Sequence, residues 1–222
     1  MGSDRRWFLL FLLTFAWFYQ GGFANVNSRF DLTLALALEH RYDIGALAEN
    51  TIDKAQVGDR VYSEKAPGSA FAALPVPLLA SAVITLDTLR AHPALADWLL
   101  HLATAASVGL LSALAAVAFR RTLTLLNPAR SAASAWALTA CVFLGTPMLA
   151  YSTMLFGHAL AAAWLVLGLY AALVAARARS RSRAVRAAAW ASAALGFAVL
   201  TEYPAVLPAA CVALGALAVA RR

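Results

Sequence analysis

Residues 27–68 read NSRFDLTLALALEHRYDIGALAENTIDKAQVGDRVYSEKAPG, and the architecture turns on this stretch. It holds seven of the chain's eleven acidic residues, Asp31, Glu39, Asp43, Glu49, Asp53, Asp59 and Glu64, with Asp87 just downstream. Around it lies hydrocarbon: of 222 residues 62% are hydrophobic and 13% charged, and the mean hydropathy is +0.71. A soluble domain of this size could not bury so much Ala, Leu and Val, so the composition indicates a membrane protein interrupted by one polar island. The formal charge of +7 does not indicate a nucleic-acid partner, because the arginines stand in short groups at the ends of apolar segments. Cys141 and Cys211 lie inside apolar segments with no metal or redox spacing and read as small packed residues.

Outward from the island, an apolar run over residues 7–24 follows Arg5 and Arg6. It is long enough to span, although its basic start and the small residues Gly22 and Ala24 also fit a cleavable signal peptide. Further apolar runs occupy residues 70–89, 98–119, 132–151, 159–176, 187–200 and 205–220. Whether 70–89 crosses sets the side of every later loop. If it does not, Arg120, Arg121, Arg130, the five arginines from Arg177 to Arg186, Arg221 and Arg222 join Arg5 and Arg6 in the cytoplasm, 12 of the 18 basic residues. If it does, the ten downstream arginines fall outside. Pro75 and Pro77 also weaken a spanning helix there. The expected fold is therefore all-α: one membrane domain over 1–222, a bundle of about six spans with juxtamembrane helices. Residues 26–96 form a loop on the outer face of the membrane, and 70–89 form one interfacial helix.

Within the island, Ser28 and Asp31 fit a capping box, and Phe30, Leu34 and Leu38 recur every four residues. This spacing predicts an amphipathic helix over 29–39 with its apolar face on the membrane. Asp31 then either caps that helix or is a general base at head-group depth. Lys65 precedes an Ala-Pro-Gly breaker, where it either anchors the interface by snorkelling or pairs with a phosphate. Lys54 and Arg60 add cations for which Asp53 and Glu64 are the expected surface partners.

The order of these parts resembles the start of the integral-membrane GT-C glycosyltransferases: an apolar span, SRFD on a juxtamembrane helix, then YSEKAPG before a proline-containing apolar helix. More narrowly it is similar to the bacterial protein-mannosyltransferase-like and aminoarabinose-transferase-like members, over the chain as far as about Tyr203. The resemblance implies transfer of a sugar from a polyprenyl-phosphate carrier to a lipid, glycan or protein acceptor on the outer face of a bacterial inner membrane, with the polar loop facing the periplasm. It implies that Asp31 faces the reacting centre and that Lys65 contacts the lipid phosphate. Arg29, Tyr62, Glu64, Glu49, Asp53 and Lys54 are the further expected donor contacts.

Two departures accompany it. Many relatives carry a second aspartate in the next outer loop, where this chain reads YSTMLFGHAL with His158 and no acid. His158 either substitutes as a base or starts a helix, and Glu202 in TEYP is the other candidate carboxylate, or else a turn cap. Full members also continue with further spans, so this chain corresponds to their amino-terminal part. The loop carboxylates could hold a divalent cation beside a phosphate, but no ligand spacing specifies one. The alternative function is a non-catalytic assembly partner or small-solute carrier; a coupled carrier would need ionisable groups at midspan, where this chain has almost none. A hydrolase or metal enzyme finds no GxSxG or HExxH, and His40, His92 and His101 are scattered.

Overall fold

A computed structural model describes residues 2–220, with side chains as far as 218; Arg221 and Arg222, counted above as cytoplasmic, lie outside the described residues. The chain is predominantly helical. Three helices are long and apolar enough to cross a membrane: Pro93–Leu126 with 34 residues, Gly157–Ala176 with 20 and Arg181–Thr201 with 21. The other apolar helices are shorter: α1 (Gly2–Trp17) has 16 residues, α8 (Ala132–Leu144) has 13 and α12 (Val206–Ala220) has 15.

The long element over Pro93–Leu126 is composite: α6 (Pro93–Thr104) passes through a π-turn at Ala105–Gly109 into α7 (Leu110–Leu126). α10 (Gly157–Ala176) packs lengthwise against α7 and α11 (Arg181–Thr201). Alanines 161, 163, 172, 191, 194 and 198 are buried there, and such small side chains let helix backbones approach closely where lipid gives no hydrophobic drive to associate. Phe11 and Phe15 of α1 pack with Trp136 and Phe143 of α8 and with Ala113 and Ala116 of α7.

Charge divides the bundle into two ends. At one, Asp4 near the start of α1 pairs with Arg120 at 3.5 Å and Arg121 at 2.9 Å near the end of α7. At the other, the start of α10 and the end of α11 meet α2 (Ala24–Glu39) through His158, Glu202 and Arg29.

α2 departs from expectation in two ways. It begins at Ala24, so Ser28 and Asp31 lie inside it rather than at its cap. Phe23 is the N-cap residue and makes no side-chain cap bond; the Gly21-Gly22 pair before it ends the preceding segment. It also does not rest one face on a membrane. Val26, Phe30 and Leu34 enter a core with Leu99, Leu100, Val108, Leu155 and Leu160, while Leu32 and Ala35 pack with Ile44, Ala48 and Ala70. Protein surrounds the helix on several sides because the island folds back over it.

That fold-back includes an element the sequence reading omitted. β1 (Lys54–Val57) and β2 (Arg60–Ser63) form an antiparallel hairpin pairing Lys54 with Ser63 and Val57 with Arg60. Its two-residue turn is Gly58-Asp59, with Gly58 at φ +60, the geometry that a glycine at the first central position allows. The expected interfacial helix over 70–89 is instead three short helices, α3 (Gly68–Ala73), α4 (Pro75–Ala80) and α5 (Leu86–Ala91). Pro75 lacks the N–H to continue α3 and starts α4 at its first position. Six residues per helix rise only about 9 Å, well short of a crossing. α9 (Met148–Ser152) likewise follows α8 after the Gly145–Pro147 break. Cys141 and Cys211 are exposed rather than packed, because their helices turn them outward.

Candidate functional site

The site grows from two residues two apart on α2, which therefore point to different sides of the helix. Asp31 is 2% exposed. Its Oδ1 accepts a 3.2 Å hydrogen bond from Asn50 Nδ2, and its Oδ2 is buried without a partner among the described residues. Burial penalises the charged form, and with only Asn50 opposing that effect the carboxyl is pushed up to about 7. Asn50 is held in turn, because its carbonyl accepts from Asn27 Nδ2 at 2.9 Å. Thr51 Oγ1 also donates to the Ala24 carbonyl at 2.6 Å. The short 3₁₀ turn Ala48–Asn50 therefore closes over Asp31.

Arg29 is 3% exposed on the other side of α2. Its Nη2 lies 3.3 Å from Glu202 Oε1, its Nη1 donates to the Asn25 side chain, and its guanidinium sits 5.1 Å from the centre of the Phe156 ring. Burial pulls the Arg29 pKa down, while Glu202 and Asp53 counter it. The same Glu202 oxygen lies 3.3 Å from His158 Nδ1. Its carboxylate rests where a Cβ on Gly157 would stand, so the glycine at the start of α10 makes room for it, and the helix dipole there favours the negative charge. His158 is the second residue of α10, and its ring meets Glu202.

Lys65 stands on a third side. Its ammonium pairs with Glu64 at 2.7 Å and Asp53 at 3.2 Å. Burial works against its charge, but hydrogen bonds to those two carboxylates outweigh burial and raise its pKa. This corrects the expected partnering of Asp53 and Glu64 with Lys54 and Arg60. Lys54 instead donates to the Ala48 carbonyl at 2.6 Å, because the hairpin turns its side chain toward the 3₁₀ turn. Ser28 Oγ donates to the Asp53 carbonyl and meets Ser63 Oγ at 2.7 Å, so α2 holds both strands of the hairpin at its open end. Tyr62 sits half-buried in β2 opposite Ala55, and Glu49 is exposed in the 3₁₀ turn.

Of the sequence-predicted residues, the structure gathers Arg29, Glu202 and His158 into one cluster, and Lys65, Asp53 and Glu64 into a second. Asp31 lies apart from both, with Asn50. Sequence reasoning missed Asn50 and Asn25, and a polar residue in a predicted loop gives no signal of the distant carboxylate or guanidinium it will reach. Among the described residues no three of His, Cys, Asp and Glu gather as a metal site, and the carboxylates nearest Lys65 are already engaged by it. The chain matches no family model, no curated protein and no solved structure.

Proposed function

We propose that the chain is a membrane glycosyltransferase, or the amino-terminal part of one, moving a sugar from a polyprenyl-phosphate donor to an acceptor hydroxyl. The observation that carries the reading is Asp31: a buried carboxyl, titrating near 7, on a helix at one end of an apolar bundle. A group half-protonated at neutral pH can take a proton from an attacking hydroxyl and pass it on. Lys65, pre-oriented by two carboxylates in the same folded loop, is the cation suited to a departing lipid phosphate. The substrate reaches Asp31 when the Ala48–Asn50 turn lifts, which breaks the Asn50 bond and leaves both carboxylate oxygens free. Six crossings follow from this reading, with α8 and α9 together making one and with the α2 end at the outer face of the inner membrane.

The test uses the protein purified from its native membrane and a polyprenyl-phosphate sugar, with release of polyprenyl phosphate as the readout. Asp31→Asn is expected to abolish release, and Lys65→Ala to weaken donor binding more than turnover. Unchanged turnover in Asp31→Asn ends the reading. The rival, a non-catalytic partner protein, is favoured by the 2% exposure of Asp31. Under it Asp31→Asn alters stability and nothing else.

A further inference from the structure

At the end of the bundle opposite α2, an open cleft of about 450 Å³ lies where α10 ends and α11 begins. Leu125, Val174, Arg177, Arg179, Ser180 and Arg183 line it. We propose that this cleft binds the phosphodiester headgroup of an anionic phospholipid.

Charge balance carries the inference. Between residues 98 and 201 the sequence contains no aspartate or glutamate, yet Arg177, Arg179, Arg181, Arg183 and Arg186 fall within ten residues of it. Asp4, the acid at this end, is occupied by Arg120 and Arg121. Glu202 is at the far end, paired with Arg29. Among the described residues no carboxylate meets Arg177, Arg179 or Arg183, so their mutual repulsion leaves the cleft suited to an external anion. A neighbouring cleft of about 420 Å³ makes the contrast: it is lined by Arg5 and Arg121 but also by Asp4, which pairs with Arg121, so part of its charge is met internally.

The chemistry of the lining selects phosphate. Guanidinium forks match two phosphate oxygens at once, and the Ser180 hydroxyl, which makes no cap bond to α11, is free to donate. Leu125 and Val174 supply an apolar floor that a soluble anion does not use and that the glycerol and first acyl carbons of a lipid do. Basic clefts between helices at one membrane face are where such headgroups are held. The inference is independent of glycosyl transfer.

The experiment is lipid retention by the purified chain in neutral detergent, read by native mass spectrometry with phosphatidylglycerol and phosphatidylcholine. Retention of phosphatidylglycerol is expected to exceed that of phosphatidylcholine about tenfold. The triple variant Arg177→Gln, Arg179→Gln, Arg183→Gln should fall to the phosphatidylcholine level, and Arg60→Gln, at the other end, should not. All three arginines are exposed, so the triple variant retains the fold. Arg179→Gln alone, with about threefold loss, repeats the test. Equal retention of the two lipids, or a preference that survives the triple variant, overturns the proposal. Displacement of the lipid by millimolar inorganic phosphate also overturns it, in favour of a free-anion site.

Discussion

Replacing Asp31 with asparagine keeps the shape of the side chain and its ability to accept from Asn50, and removes the proton. The native carboxyl titrates near 7 against an ordinary 3.8, so between those values the folded chain holds a proton that the unfolded chain has released. Stability therefore falls as pH rises through this window; it is greatest below 3.8 and lost by about 7. Three pKa units at about 1.4 kcal/mol each give a loss of about 4 kcal/mol, an upper figure because water reaching the ionised group relieves part of it. The amide of the variant has no such titration. Asp31→Asn should match the wild type near pH 4 and exceed it at pH 8 by about 10 °C in midpoint, from the usual 2–4 °C per kcal/mol. The assay is thermal unfolding of both proteins in one detergent across this range. The quantity to follow is the difference between them, in which every other titration cancels. A difference that is flat with pH, or that favours the wild type at alkaline pH, refutes the buried-carboxyl account.

Glu202→Gln leaves the buried Arg29 guanidinium without its counter-charge and should destabilise the chain by about 3 kcal/mol in denaturant unfolding; Arg29→Met with Glu202→Gln should recover part of that loss. Gly68→Ala places a Cβ 2.6 Å from the Thr201 backbone nitrogen, so α3 must withdraw from the end of α11, at a cost of about 1–3 kcal/mol by the same measurement. Gly157→Ala displaces the Glu202 carboxylate instead, a flexible group, and its effect should vanish in a Glu202→Ala background, where the atoms it meets are gone. Asn50→Ala removes the one hydrogen bond Asp31 accepts, so the carboxyl should titrate higher still, read as a further upward shift of the pH midpoint in the unfolding difference.

The helical class and three of the six expected spans were legible because apolar length is a local signal. The start of α10 beside His158 and the segregation of charge to two ends needed only composition along the chain. The proline pair correctly argued against a single crossing at 70–89, although the three-helix outcome depends on tertiary neighbours. The island was less legible. KAQVGDRVYS alternates too weakly to announce a hairpin, and its Gly-Asp turn is the sole strong cue. Ser28 and Asp31 satisfy a capping pattern that the structure spends elsewhere, because the Gly21-Gly22 break lets the helix begin earlier and frees Ser28 to hold the hairpin. Nor does any sequence spacing relate Arg29 to Glu202, since a contact across most of the chain leaves no periodic trace.

That last pair also sets a timetable. Arg29 emerges from the ribosome 173 residues ahead of Glu202, an interval of about 10–30 s at ordinary rates of synthesis. Throughout that wait its guanidinium has Asn25, water and the more distant charge of Asp53 but not its ion-pair partner, so entering the core would leave it only partly compensated. α2 is thus among the first helices made and among the last to settle. The loop end of the protein is completed only when the close of α11 delivers the carboxylate that lets the arginine in.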